Sequence, residues 1–161
     1  MNIDLVKLSG FAEELGVVRK MRAVCFEERS PINAKLLEWS ISEKADYNKV
    51  MASLAYAGTT YLPYLDRKKV ARDDAGETPD RACAATKCPI YEARAAKGSA
   101  RIFFYHSPGP VAVAVCVHWM WKVASRRREQ EREFETARRI RNTVFDPIEI
   151  RIRELLRKGD L

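Results

Sequence analysis

With 161 residues, 47% of them hydrophobic, the chain is long enough to bury one core and short for two. Its 29 Lys+Arg against 22 Asp+Glu give a formal charge of +7, which favours anionic partners such as nucleic acid, the ribosome, an acidic protein or a membrane surface. No apolar run approaches the roughly 20 residues of a spanning helix, and Asp4, Glu13 and Glu14 stand where a signal peptide would be apolar. A soluble, cytoplasmic protein with no membrane partner is expected.

Residues 4 to 15 place Leu5, Leu8, Ala12 and Leu15 at helical spacing, with Asp4 as a cap and Gly16 as a stop, which predicts a short N-terminal helix. Residues 17 to 28 alternate and carry β-branched and aromatic side chains, the pattern of a first strand. Ser30-Pro31 opens a helix, because proline lacks only an amide hydrogen that the first turn does not use. Leu36, Leu37, Val50, Met51, Leu54 and Ala55 then recur at helical spacing over 31–38 and 42–57, predicting a helix hairpin that ends at Gly58. Ser40 with Glu43 has the spacing of a capping box.

Residues 66 to 88 are polar, contain Gly76 and Pro79 and show no sustained period, as a long surface loop would. Within and around it, Cys25, Cys83, Cys88 and Cys116 are expected to be free thiols, since the chain is too large for a disulfide scaffold. Only Cys83 and Cys88 approach metal-ligand spacing, and His106 and His118 complete no finger pattern, so no metal or cofactor is expected.

From Ile90 the chain reads as a β-meander: IYEARAAKGSARIFFYH, a turn at Ser107-Pro108-Gly109-Pro110, then VAVAVCVHWMWK. A strongly basic helix follows, with seven arginines against four glutamates over residues 126–141, net +3, and an apolar stripe of Phe134, Ala137 and Ile140. Asp146-Pro147 opens a separate C-terminal helix whose Ile148, Ile152, Leu155 and Leu156 share a face, closed by Gly159. Trp119 and Trp121 fall on one side of the last strand, either buried against the C-terminal helix or exposed to stack on bases or on a partner peptide.

This order of strand, helix hairpin, loop, three-strand meander and helix resembles the RelE/ParE toxin superfamily, in its HigB-like, phage-related branch. The branch carries YELR, a few residues, GxxRIFYF, a turn, an apolar strand ending in HGFxKK, and a helix with ExxxA. Tyr91-Glu92-Ala93-Arg94, Gly98 with Arg101 to Tyr105, Val111 to His118, and Glu133 with Ala137 resemble these elements in order. The chain departs from the pattern with Trp119 and Met120 after the histidine, Val123 after Lys122, and Ser125 to Arg128 in place of a Thr-Pro step. The resemblance spans roughly residues 19 to 142.

The resemblance implies a single α+β domain over residues 1–161, with a small, mainly antiparallel sheet carrying an N-terminal helix hairpin on one face, and C-terminal helices. Residues 1–16 would be a helical extension, 17–142 the core and 143–161 the last helix. It implies the toxin of a type II toxin–antitoxin pair, partnered by a cognate antitoxin, the ribosome and messenger RNA. Such toxins cleave message without metal by attack of a ribose 2′-hydroxyl on the adjacent phosphate. A base, cations on the phosphate and an acid for the leaving oxygen are needed. Arg94, Arg101, His118 and Lys122 are the catalytic candidates, and Tyr91, Tyr105, Arg126, Arg127 and Arg128 the RNA-binding ones. The superfamily also holds members that poison gyrase without nuclease chemistry, so a non-enzymatic binder on the same scaffold is the alternative. Arg94 and Arg101 could equally be exposed strand residues paired with Glu92, and His118 a hydrogen-bonded edge residue.

Overall fold

A computed structural model describes residues 1–13, 17–73, 85, 88–123 and 127–161, the side chain of Arg127 excepted. The protein is α+β, with six strands in one mostly antiparallel sheet and three α-helices among the described residues. In chain order they are β1 (Ile3–Lys7), β2 (Lys20–Phe26), α1 (Pro31–Ser42), α2 (Lys44–Thr59), β3 (Val70–Arg72), β4 (Ile90–Arg94), β5 (Ala100–His106), β6 (Val113–Trp121) and α3 (Arg127–Lys158). The sheet order is β1-β2-β6-β5-β4-β3, with β2 and β6 parallel and every other neighbouring pair antiparallel.

Two apolar layers flank the sheet. On one face, Ile32, Leu36 and Trp39 of α1 and Val50 and Leu54 of α2 cover Met21, Ile102, Phe104 and Cys116. On the other, Phe134, Ala137, Val144, Phe145, Ile148 and Ile152 of α3 cover Val24, Phe103, Tyr105, Val113 and Val115. The alternation along β5 sends Ile102 and Phe104 to the hairpin face and Phe103 and Tyr105 to the α3 face, so the middle of the strand, Ile102 to Tyr105, is apolar on both sides. Among the described residues no helix is long and apolar enough to cross a membrane.

The hairpin follows its sequence signals. The Ser30 hydroxyl accepts a hydrogen bond from the Asn33 amide at 3.2 Å, capping α1 ahead of Pro31. Ser40 and Glu43 do not form a capping box: the Ser40 hydroxyl donates to the Leu37 carbonyl inside α1, and Glu43 caps α2 without a side-chain bond. Asp46, in the first turn of α2, instead accepts the amides of Ser99 (2.5 Å) and Ala100 (3.0 Å) and so holds the β4–β5 turn. Gly98 is required there, because a Cβ at that position would lie 2.8–2.9 Å from the Asp46 carboxylate.

Three expectations change. Residues 3–7 form a strand rather than a helix: Ile3 to Lys7 pair antiparallel with Phe26 to Arg22, and the ladder of long-range bonds outweighs the local helical spacing. Within 66–88 the short edge strand β3 pairs Val70–Arg72 with β4, while 74–84 and 86–87 lie outside the described residues, as does Cys83. Cys25, Cys88 and Cys116 are free and buried.

The basic helix and the C-terminal helix are one element. Phe134, Ala137, Arg141, Val144, Phe145, Ile148 and Ile152 keep a single phase across Pro147, so burial of a continuous stripe outweighs the hydrogen bond that proline removes. Gly159, at φ +71°, then terminates it.

Candidate functional site

A β-bulge sets the polar face of the site. Phe103 pairs with His118 and Phe104 with Cys116, leaving Val117 as the extra residue of β6. Before the bulge Val113 and Val115 face α3; after it, His118 and Met120 do. Trp119 and Trp121 are thereby turned to the hairpin face, where each ring lies 5.9 Å from Trp39. They do not pack on the C-terminal helix, and Lys35 sits 4.1 Å over Trp119.

Under the first turns of α3, Glu92, Phe103 and His118 form one row across β4, β5 and β6. Glu92 is fully buried. Its carboxylate accepts Arg94 Nε at 2.6 Å and Gln130 Nε2 at 3.2 Å, and lies 3.6 Å from Arg101 Nε. The Glu92 pairing considered from sequence is therefore what the structure contains. Arg101 is not solvent-facing: it is 8% exposed, and its Nη1 donates to the carbonyls of Gly98 and Ala100, both at 2.9 Å. Burial lowers its pKa, with Glu92 acting in the opposite direction. His118 hydrogen-bonds through Nε2 to the Glu133 carboxylate of α3. Gln130 and Glu133, one helical turn apart, thus pin α3 to β4 and to β6.

Beside this row a cleft of about 590 Å³ opens between β3, the end of β4 and the start of α3. Arg94, Arg128, Arg132 and Arg138 line it, against the carboxylates Asp73, Glu131 and Glu135, a balance of four to three; Arg72 borders it as well, but its side chain reaches Tyr91 on the hairpin face. Arg138 is neutralised by Asp73, and Arg94 by Glu92. Arg128 and Arg132 are exposed and form no ion pair among the described residues. They stand at i and i+4 near the start of α3, where like charges repel, and Arg128 lies in the first turn, where the helix dipole disfavours cations. Among the described residues neither side chain has an ion-pair partner that would hold it there.

The candidates thus separate. Arg94 and Arg128 reach the cleft. Lys122 is partly buried just past β6, its amide donating to the Ser99 carbonyl at 2.8 Å, and neither it nor His118 lines the cleft. Tyr105 is fully buried beside Phe145 and cannot stack on an external base. Tyr91 lies on the hairpin face, stacked at 5.6 Å on Phe104, its pKa raised by burial and opposed by a hydrogen bond from Arg72. Arg126 lies outside the described residues, and for Arg127 only the helical backbone is described. Sequence reading missed Arg132 and Arg138; the four-residue Arg128/Arg132 spacing within the basic helix was the available signal.

His106 lies between Tyr91 and Phe104, 4.8 and 5.5 Å away, and burial, reinforced by Arg19, lowers its pKa from 6.5 to about 3. The unfolded chain therefore binds this proton near pH 6.5 and the folded one does not. Its contribution is complete above pH 6.5 and is lost as pH falls toward 3. Lowering pH from 7 to 5 is expected to remove about 1 to 2 kcal/mol of stability through this group. Urea unfolding at the two pH values checks it: His106→Phe should flatten the difference, and an unchanged difference would refute the assignment.

Among the described residues no three of His, Cys, Asp and Glu gather into a metal-binding group. Comparison with known protein families, with characterised proteins and with solved structures gives no match for this chain.

Proposed function

We propose that the protein is a RelE/HigB-like toxin of a type II toxin–antitoxin pair, inhibiting translation by holding messenger RNA in the arginine cleft, with a cognate antitoxin to neutralise it. The observation that carries this reading is the exposed Arg128/Arg132 pair beside Arg94, cations set against each other and against the helix dipole at the mouth of a cleft. Phosphate relieves that repulsion, and guanidinium forks match its oxygens. The strand–hairpin–meander–helix order over residues 20–158 and the motif residues around Gly98 and Arg101 support the resemblance.

Ribosome-dependent cleavage of the message is the reaction this resemblance implies. Arg94 would then hold the phosphate whose charge grows in the transition state, and His118, oriented by Glu133, would carry the proton. A specific observation favours the second reading, a binder that does not cleave. His118 is two strands from Glu92, about 10 Å at the usual strand spacing, and outside the cleft, while Glu92 engages Arg94 and Arg101.

Induced expression separates the readings. Growth arrest with loss of full-length message, abolished by Arg94→Ala or His118→Ala, is the outcome expected of the nuclease. Arrest with intact message identifies the binder, and a DNA-damage response alongside it identifies gyrase as the target. Growth unaffected by the wild-type protein would contradict both.

A further inference from the structure

The turn between α2 and β3 presents two aromatic rings to solvent on a backbone that is firmly held. Tyr61 is 64% exposed and Tyr64 76%. Neither ring has an aromatic or cationic partner among the described residues. Their backbone is nonetheless fixed. Residues 62–64 form a 3-10 turn in which the Tyr64 amide donates to the Tyr61 carbonyl at 2.9 Å. The Tyr56 hydroxyl of α2 donates to the Tyr64 carbonyl at 3.2 Å and accepts the Asp66 amide at 2.7 Å. The Asp66 carboxylate is occupied by the Lys68 amide at 2.9 Å, so the only acid of the segment serves its own turn.

Four cations, Arg67, Lys68, Lys69 and Arg72, follow within the same twelve residues, leaving net +3 over residues 61–72. β3 carries the chain from Lys69 to Arg72 over about 10 Å, ending at the border of the arginine cleft, where Arg72 turns its side chain to Tyr91. Exposed aromatics on a held backbone, the cations of residues 67–69 and the arginine cleft therefore follow one another along the β3 edge of the sheet.

We propose that this edge is a single-stranded RNA track, in which successive bases stack on Tyr61 and Tyr64 while the backbone runs along Lys68 and β3 into the cleft. The inference rests on the RNA-binding reading above and adds its aromatic half. Stacking on a preset ring is sequence-tolerant and loses little side-chain freedom, whereas a duplex keeps its bases inside.

The test is fluorescence anisotropy of a short labelled single-stranded RNA of mixed sequence with the full chain. Tyr61→Ala/Tyr64→Ala should weaken binding at least about tenfold, with the slope of log K against log salt unchanged, because stacking releases no counterions. Tyr61→Phe/Tyr64→Phe should stay within about twofold, since the ring face is kept. Duplex RNA should show no tyrosine effect. Wild-type-like affinity in the alanine variant, as when the rings serve a protein partner, overturns the track and leaves the cleft standing. No binding of RNA by the wild-type protein at low salt overturns the cleft reading and the track together. Both rings being exposed, matched thermal unfolding of the variants separates a binding loss from a folding loss.

Discussion

Replacing Glu92 by glutamine is expected to destabilise the protein by about 3 kcal/mol, because it leaves the Arg101 guanidinium buried without its counter-charge. The substitution keeps size, so the effect reports the lost charge and the acceptor oxygen replaced by an amide donor facing Arg94 and Gln130, and not a cavity. Arg101 cannot escape to water: its Nη1 is committed to the Gly98 and Ala100 carbonyls, and Phe103 and Met120 occupy the same face. Replacing the pair together, Glu92→Met with Arg101→Met, should recover most of the loss, since an apolar pair has no desolvation penalty. Urea unfolding measures both. A loss below about 1 kcal/mol for the single variant would mean that water reaches Arg101, contrary to the packing described.

Deleting Val117 is expected to leave folding cooperative and both tryptophans in place. With the extra residue removed, Cys116 still faces the hairpin and His118, now next in the chain, still faces α3, so alternation is regular and Phe103 pairs with His118 and Phe104 with Cys116 as before. His118 keeps Glu133 and both tryptophans keep Trp39; what is lost is the buried Val117 side chain and the local bend of the bulge, about 1 to 3 kcal/mol together. Tryptophan fluorescence reads this directly, since all three tryptophans form the affected cluster. A shifted emission spectrum or a broadened urea transition would show that the residues beyond the bulge changed faces, contrary to this register.

The same bulge marks the limit of what periodicity can reveal. The apolar runs of β5 and β6 and the spacing of Leu36, Val50 and Leu54 are local signals, and they locate the meander and the hairpin. An extra residue in a run as uniform as VAVAVCV leaves no local trace, so alternation continues on paper and sends Trp119 and Trp121 to the wrong side. At the N-terminus Leu5 and Leu8 fit helical spacing while Ile3 and Leu5 fit a strand; pairing with β2, twenty residues away, decides between them. Pro147 is a strong local stop, yet α3 runs through it because the core beneath has a single continuous stripe. For the site, Arg94 and Arg128 were legible from the motif and the charge run. The burial of Arg101, the sealing role of Glu92 and the meeting of Arg94 with Arg132 at one cleft depend on register and helix placement, which no single segment encodes.

The central claim is that the cleft arginines take phosphate, and the salt dependence of RNA binding tests it most directly. For Arg128→Ala/Arg132→Ala, the slope of log K against log salt should become shallower than the wild-type slope by about 1.4, two phosphate contacts at about 0.7 each on a single strand. Affinity should fall alike for all sequences, because phosphate contacts position without specifying. An identical slope and affinity for wild type and variant would place the RNA elsewhere and contradict the account.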